Sequence, residues 1–238
     1  MIHALVLTAA GNSTRMGGTV KKEYLTLAEN GEGRISVLSA ALHAFLSTGL
    51  FTYILITVPS GGEETARGVI AEDRRLDGLL ALLPRPLLFA EGGMTRQDSV
   101  HNGLELLSSR AAADGVSVGT VLIHDGARPY VEADTIRAVI NLASTCGAAV
   151  PAIPSVDTQK ETDASGRILR HLDRERIVSV QTPQGFLFTP LLEAHRRAAG
   201  DGRPYTDDTE IWGRYAGEVF TVPGNRENRK ITYPEDLQ

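Results

Sequence analysis

Short apolar runs alternate with amphipathic stretches along most of the chain, and that alternation predicts its architecture. Ile2 to Leu7 reads as a short buried strand. Ser36 to Thr48 places Val37, Leu38, Ala41, Leu42, Phe45 and Leu46 at helical spacing, with Ser36 positioned to cap the helix and Gly49 to stop it. Tyr53 to Val58 is β-branched and ends at Pro59, as a strand should. A helix over Glu63 to Asp73, a weak strand over Leu87 to Ala90 and a helix over Thr95 to Ser109 follow. Thr120 to Ile123 (strand), Glu132 to Thr145 (helix) and Ala148 to Ile153 (strand) complete the series. Strands alternating with helices predict an α/β fold with a mostly parallel sheet and helices on both faces.

The pattern changes after Ile153. From Pro154 to Arg174 polar and apolar residues alternate around Asp163-Ala164-Ser165-Gly166, which predicts a long β-hairpin. A hairpin cannot bury a face alone, so this arm, at about 154–175, must lean on something. Helices over Pro190 to Ala199 and from Tyr205-Thr206-Asp207-Asp208 to Tyr215 come next, then a strand over Glu218 to Val222. The acidic pair Asp207-Asp208 reads as helix capping, favoured for Asp208, or as a metal or substrate contact. No internal repeat interrupts the series, and a single domain over 1–238 is expected.

Composition narrows the function classes. The chain has 238 residues and a net charge of −5, so a broad nucleic-acid surface is not expected and any anion site must be local. Its one cysteine, Cys146, excludes an intrachain disulfide, fits a reducing compartment and is expected to fill core space before Gly147. No stretch approaches the apolar length of a membrane span, and the opening residues run directly into a strand. A cytoplasmic protein is therefore expected.

The chemistry gathers in loops that should follow strand ends, where ligands of such sheets bind. After Leu7 comes a loop of small residues, Thr8 to Gly18, carrying Arg15 and followed by Lys21 and Lys22. Small residues allow close backbone approach, and the cations suit a polyphosphate. The dinucleotide and P-loop fingerprints are absent, and an ordinary turn with solvated charges is the plain alternative. A second loop, Glu91-Gly92-Gly93-Met94-Thr95-Arg96-Gln97-Asp98-Ser99-Val100, is either turn chemistry or a loop that reads a nucleobase edge, with Ser99 offering a hydroxyl. A third, His124-Asp125-Gly126-Ala127-Arg128-Pro129, is either a helix cap or a substrate site.

These loops together resemble a known family. Ala9-Ala10-Gly11-Asn12-Ser13-Thr14-Arg15-Met16 and Lys21-Lys22-Glu23-Tyr24-Leu25 resemble the opening of the sugar-phosphate nucleotidyltransferases, A-A-G-x-G-x-R-M and then P-K-x-[YF]-L, with Ser13 for the second glycine and Lys21 for the proline. The third loop resembles the H-D-A-A-R-P motif of the 2-C-methyl-D-erythritol 4-phosphate cytidylyltransferases. Ser155-Val156-Asp157-Thr158-Gln159-Lys160 resembles that family's V-x-D-T-x-K with serine at its first position, L-D-R and Q-T-P-Q-x-F follow in the family's order, and Glu227-Asn228-Arg229-Lys230-Ile231-Thr232 resembles E-N-[IL]-K-[IV]-T.

The resemblance implies a Rossmann-like sheet of the nucleotide-diphospho-sugar transferase type. It implies cytidylyl transfer from CTP to 2-C-methyl-D-erythritol 4-phosphate, in non-mevalonate isoprenoid precursor synthesis. Ribitol 5-phosphate cytidylyltransferase is the nearest alternative and a non-catalytic CTP-binding regulator the second. Arg15, Lys22 and Lys230 are the implied catalytic residues. Ala9, Ala10, Gly11, Gly93, Met94 and Ser99 would bind nucleotide. Asp125, Arg128, Thr158, Arg174, Thr182 and Thr206 would bind the polyol phosphate, with Thr158 and Arg174 carried by the arm into a partner subunit of a homodimer. Mg²⁺ is expected on the CTP phosphates, with no protein carboxylate as ligand.

Overall fold

The computed structural model of the protein describes residues 1–11, 13, 16–17 and 20–237. The chain opens with β1 (Ile2–Thr8), then a small hairpin, β2 (Thr26–Asn30) and β3 (Gly33–Ser36), and the helix α1 (Val37–Leu46). β4 (Phe51–Val58), α2 (Glu63–Ala71), a short α3 (Asp77–Ala81), β5 (Leu88–Glu91) and α4 (Arg96–Ala113) follow. The middle of the chain forms β6 (Val118–Asp125), α5 (Ala133–Cys146) and β7 (Ala148–Pro154). The arm holds β8 (Lys160–Thr162) and β9 (Ile168–His171). The chain then returns through β10 (Val178–Val180), β11 (Gln184–Leu187), α6 (Phe188–Ala199), α7 (Asp208–Tyr215) and β12 (Phe220–Pro223).

The main sheet runs β10-β7-β11-β6-β1-β4-β5, with β12 parallel to β7. β1 pairs in parallel with both β4 and β6, and β4 with β5. Because the strands are buried on both faces, they read as near-continuous apolar runs. Leu5 and Leu7 pack on one face with Leu38, Leu42 and Phe45 of α1 and Ile136 and Val139 of α5. Ala4 and Val6 pack on the other with Leu104 and Leu107 of α4 and Leu191 of α6. The register levels the strand ends: Thr8 lies opposite both Thr57 and Asp125, and Val58 lies opposite Glu91. The loops leaving β1, β5 and β6 therefore emerge at one height.

Local signals read in the sequence have their physical counterparts. Ser36 and Ser39 form a reciprocal capping box at α1, with Ser39 N–H donating to Ser36 Oγ at 3.0 Å and Ser36 N–H donating to Ser39 Oγ at 2.9 Å. Gly49, placed to stop the helix, has φ 65°, where a side chain would be strained. In the arm, Asp163 closes the β8–β9 turn by accepting from the backbone N–H of Ser165 at 3.0 Å and of Arg167 at 3.1 Å.

Three features differ from the sequence reading. Cys146 is exposed at the end of α5 rather than filling the core, because the inward positions of the last turns go to Ile140 and Ala143. The β2–β3 hairpin was not anticipated, although its Asn30-Gly31 turn is a hairpin signal. β10 and β11 run antiparallel to β7, and β11 is wedged between β6 and β7.

Gly185 makes that wedge fit, since a Cβ there would lie 2.6 Å from Val139 Cγ1 of α5. Gly185→Val should therefore destabilise the protein by about 1–3 kcal/mol, the usual cost of overpacking. Gly213 lies exposed inside α7 with nothing near its missing Cβ. Gly213→Ala should stabilise by about 0.5–1 kcal/mol through helix propensity. Urea denaturation of the two variants checks both signs.

Candidate active site

The levelled strand ends open into a crevice of about 330 Å³. Ala10, Gly11 and Lys22 reach it from the loop after β1, Gly93, Met94 and Ser99 from the β5–α4 connection, Asp125 from the end of β6, and Lys230 from the C-terminal segment. Segments far apart in sequence that were singled out for their chemistry thus share one mouth. Arg15, with Asn12, Thr14 and Gly18 of the same loop, lies outside the described residues.

The opening loop is held from several sides. Ala9 is buried and donates its N–H to the Thr57 carbonyl at 3.0 Å, so it anchors the loop beneath the crevice surface. Ser13 adopts φ 51°, a left-handed conformation that glycine takes at no cost, which gives a physical reason for a glycine at this position in the motif it resembles. Its hydroxyl accepts from Lys22 N–H at 3.1 Å and donates to buried Glu23 at 3.3 Å. Burial pushes the Glu23 carboxyl up. Lys22 Nζ donates to the Ile231 carbonyl at 2.9 Å, tying the first loop to the last segment across the crevice.

The glycines of the second loop are there for close approach. A Cβ on Gly92 would lie 2.3 Å from Ala10 Cβ and 2.8 Å from Ser99 Oγ, and one on Gly93 would lie 2.2 Å from Asp98 Cβ. Thr95 caps α4 in a capping box with Asp98. Ser99 Oγ accepts from Gly93 N–H at 3.1 Å and donates to the Thr95 carbonyl at 2.9 Å. Its proton is therefore committed, and toward a ligand it has only a lone pair to offer. The Met94 side chain is 98% exposed.

Asp125 is the electrostatic centre. Its carboxylate meets Lys230 Nζ at 2.6 Å, Arg96 Nε at 3.5 Å and Arg128 Nε at 3.9 Å. Burial alone would raise its pKa. Lys230 and Arg96 outweigh burial and hold it well below the usual carboxylate range. Arg128 also donates to the Asn228 carbonyl at 2.7 Å, and Ile231 N–H donates to the Ala127 carbonyl at 2.8 Å.

Arg96 lies in the second loop, where its local sequence assigns it no role. Its guanidinium spans Asp125 and fully buried Asp208, reaching the latter at 2.8 Å, and Asp208 also meets His195 Nε2 at 3.1 Å. A cation in the first turn of a helix opposes the helix dipole, so an arginine at that position called for nearby carboxylates. Burial works against the charged guanidinium, but Asp208 and Asp125 prevail and raise its pKa. Capping of α7 belongs to Asp207, which accepts from Glu210 N–H at 3.0 Å, and not to Asp208, which turns inward. Among the described residues, Glu23 is the other ionisable group of the crevice that the local sequence does not single out.

The remaining candidates lie elsewhere. Thr182 is buried behind Asp125, whose N–H it accepts at 3.1 Å. Thr206 is exposed and donates to Glu210 at 3.1 Å. Thr158 and Arg174 are exposed on the arm, where Arg174 donates to the Val156 carbonyl at 3.1 Å, and neither lines the described crevice of its own chain. Among the described residues no cluster of three or more His, Cys, Asp or Glu is arranged to hold a metal ion, and no helix is long and apolar enough to cross a membrane.

The family model of 2-C-methyl-D-erythritol 4-phosphate cytidylyltransferase (IspD) matches residues 3–238. The chain belongs to this family. It is 36% identical to the 2-C-methyl-D-erythritol 4-phosphate cytidylyltransferase of Pelotomaculum thermopropionicum over 98% of this chain and 90% of that protein. It is 38% identical to the bifunctional enzyme IspD/IspF of Desulforudis audaxviator over 98% of this chain, but spans only 54% of that longer protein. Among solved structures, the 2-C-methyl-D-erythritol 4-phosphate cytidylyltransferase of Thermus thermophilus superposes with a TM-score of 0.70 at 30% identity, covering 100% of this chain and 96% of that one. The 4-diphosphocytidyl-2C-methyl-D-erythritol synthase of Anaerococcus prevotii shares the fold, with a TM-score of 0.78 at 22% identity over 99% of this chain and 92% of that one. The mostly parallel sheet is thus the family's sheet.

The ion pairs predict a definite pH dependence. Asp125 and Asp208 are both held below the ordinary aspartate value when folded. Their stabilising contribution is fully present above the unfolded pKa of about 3.9 and is lost as pH falls toward their folded values. Urea midpoints should therefore fall from pH 5 to pH 3. Asp125→Asn should lower the midpoint at pH 7, by leaving Lys230 without its partner, and flatten the decline below pH 5. An unchanged acid slope would refute the ion-pair assignment.

Proposed function

We infer that the crevice carries out the reaction its family is named for: transfer of a cytidylyl group from CTP to 2-C-methyl-D-erythritol 4-phosphate, with release of pyrophosphate. The observation that carries this reading is the convergence of Lys22, Lys230 and the close-packed glycine loop at the levelled strand ends, in a chain of this family. The attacking group is a phosphate oxygen of the polyol phosphate. It displaces pyrophosphate from the α-phosphorus of CTP, forming one P–O bond as another breaks. A phosphate monoester with its second pKa near ~6 is largely a dianion at neutral pH, so no general base is required. The obstacle is repulsion between two polyanions, and catalysis is positioning plus charge neutralisation.

Lys22 and Arg15 would stabilise charge on the reacting phosphates, with Lys230 assisting from its pair with Asp125. Gly93 and Met94 would present backbone groups to the cytosine edge, on a loop whose shape Ser99 holds. Ala9, Ala10 and Gly11 would carry the triphosphate. Asp125 and Arg128 would place the polyol phosphate, with Thr182 and Thr206 as further contacts. Mg²⁺ fits as a passenger of the CTP phosphates, because Lys230 already engages Asp125 and Ser13 already bonds Glu23. Bound there, it would neutralise phosphate charge.

The test of the reaction is pyrophosphate release from CTP, UTP or ATP with methylerythritol phosphate or ribitol 5-phosphate. CTP with methylerythritol phosphate should be turned over best, and equal turnover with UTP would sink the cytosine reading. Lys22→Ala should lower kcat by roughly 10²-fold or more, the scale of losing one preorganised transition-state contact, while leaving the protein folded. Turnover within a few-fold of wild type would remove Lys22 from the mechanism.

The arm belongs to the same proposal. Val156, Ile168, Leu169, Val178 and Val180 expose apolar side chains on and beside it, a surface suited to a second copy of the chain. A homodimer would carry Thr158 and Arg174 of one protomer into the other's crevice, as an isologous interface allows. Lys22→Ala and Arg174→Ala homodimers should each be nearly inactive. In a mixed dimer one site would bear both lesions and the other neither. With random exchange about half of the dimers are mixed, so activity should return to roughly a quarter of wild type. Verified mixed dimers that stay inactive would mean that Arg174 does not serve a partner's site.

A further inference from the structure

His124 has no role in the mechanism above, yet it sits fully buried directly beside Asp125. Its ring packs edge-on against Phe45, with centroids 4.7 Å apart. Nε2 lies 3.0 Å from the Arg128 carbonyl, and Nδ1 lies 3.0 Å from Thr182 Oγ1. Thr182 Oγ1 in turn accepts the N–H of Asp125 at 3.1 Å.

The donors and acceptors in this chain have one consistent assignment. A carbonyl only accepts, so Nε2 must carry the proton. A neutral ring protonated at Nε2 has an unprotonated Nδ1, which must accept from the Thr182 hydroxyl. Thr182 therefore donates its only hydrogen bond to His124, accepts one from Asp125 N–H, and keeps a single lone pair uncommitted. Charged groups nearby act on the ring in both directions: Asp125 favours its protonation, while Arg128 and Lys230 oppose it. Burial dominates and brings the His124 pKa down to about 4, so the ring stays neutral through physiological pH.

We propose that His124 is a positioning residue for cytidylyl transfer: as the neutral Nε2–H tautomer it accepts from the Thr182 hydroxyl, and the relay fixes the backbone of the Asp125–Arg128 loop and with it the carboxylate that meets the polyol phosphate. The same relay ties the backbone at both ends of the Asp125–Arg128 loop to the strand insertion at Thr182. It rests on the cytidylyl-transfer reading and adds to it what holds Asp125 in place.

Two measurements test this. Long-range ¹H–¹⁵N correlation spectra of the ¹⁵N-histidine-labelled wild-type protein should show His124 as the Nε2–H tautomer, unchanged from pH 5.5 to pH 8. The Nδ1–H form, or a ring that titrates in that range, would overturn the proposal whether or not any variant folds. Kinetics then read the consequence. His124→Phe and Thr182→Val should each raise KM for the polyol phosphate by roughly three- to tenfold, the scale of one neutral hydrogen bond, with KM for CTP nearly unchanged. The double variant should be no worse than Thr182→Val alone, since both lesions remove one contact. Multiplying losses, or an equal rise in both KM values, would mean that His124 supports the fold at large and not the placement of Asp125. A wild-type protein that releases no pyrophosphate from CTP refutes the reaction itself, and this role with it. An active wild type with the wrong tautomer refutes only the role of His124.

Discussion

The arrangement of the crevice depends on one buried carboxylate. Asp125 stands at the end of a central strand, where burial would ordinarily neutralise it, and it stays ionised because Lys230, Arg96 and Arg128 surround it. Each of those cations belongs to a different part of the chain. Lys230 comes from the C-terminal segment, Arg96 from the first turn of α4, and Arg128 from the loop after β6. Satisfying one charge therefore draws three segments to the same place. The backbone completes the tie: Ile231 N–H reaches the Ala127 carbonyl, and Lys22 Nζ reaches the Ile231 carbonyl. A buried ion pair is a weak argument for stability, but a strong one for specificity of placement where breaking it strands a charge.

Most of the sheet could be read from the sequence because its strands are buried on both faces and its helices are amphipathic, two patterns that need only local information. Ser36 and Gly49 were readable for the same reason, since capping and a left-handed stop are chemistry of a single turn. β11 was not readable. Its residues, Gln184 to Leu187, carry no alternation, and it becomes a strand only because Gly185 lets α5 close over it between β6 and β7. Cys146 was misplaced because the last turn of a helix can rotate a small residue to either face. The β2–β3 hairpin was missed despite an Asn-Gly turn that could have revealed it.

The site divides in the same way. Lys22, Asp125, Gly93 and Lys230 were legible as chemistry in loops after strands, and the register of those strands brings them together. The pairing of Arg96 with Asp208 was not, because it joins α4 to α7 across more than a hundred residues of sequence, and local pattern does not say which carboxylate meets the cation. Asp208 illustrates the limit of local reading. An acidic pair before a helix looks like a cap, and one of the two is a cap. Which of them turns inward depends on where His195 and Arg96 lie. Ser99 shows the converse. Its hydroxyl was legible as functional, but its geometry gives its proton to Thr95.

For a reaction between two polyanions the requirement is concentrated positive charge, and a protein of net charge −5 can supply it only locally. Loose cations on flexible stems would meet that need poorly, because each would have to be ordered as the reaction proceeds, at a cost in side-chain entropy. Here the cations are ordered beforehand by acids and carbonyls of the chain itself: Lys230 by Asp125, Arg96 by Asp208, Lys22 by the Ile231 carbonyl. Each tether weakens the field its cation presents, so the arrangement exchanges raw charge for position. That exchange favours catalysis when the charge to be stabilised develops at a defined point, as on a phosphate under in-line displacement, because donors held in place need no reorganisation when the bond breaks. The same logic explains why acidic residues are abundant around a site that must attract anions. They direct the cations, and the neutral His124 relay directs the backbone between them without adding charge of either sign.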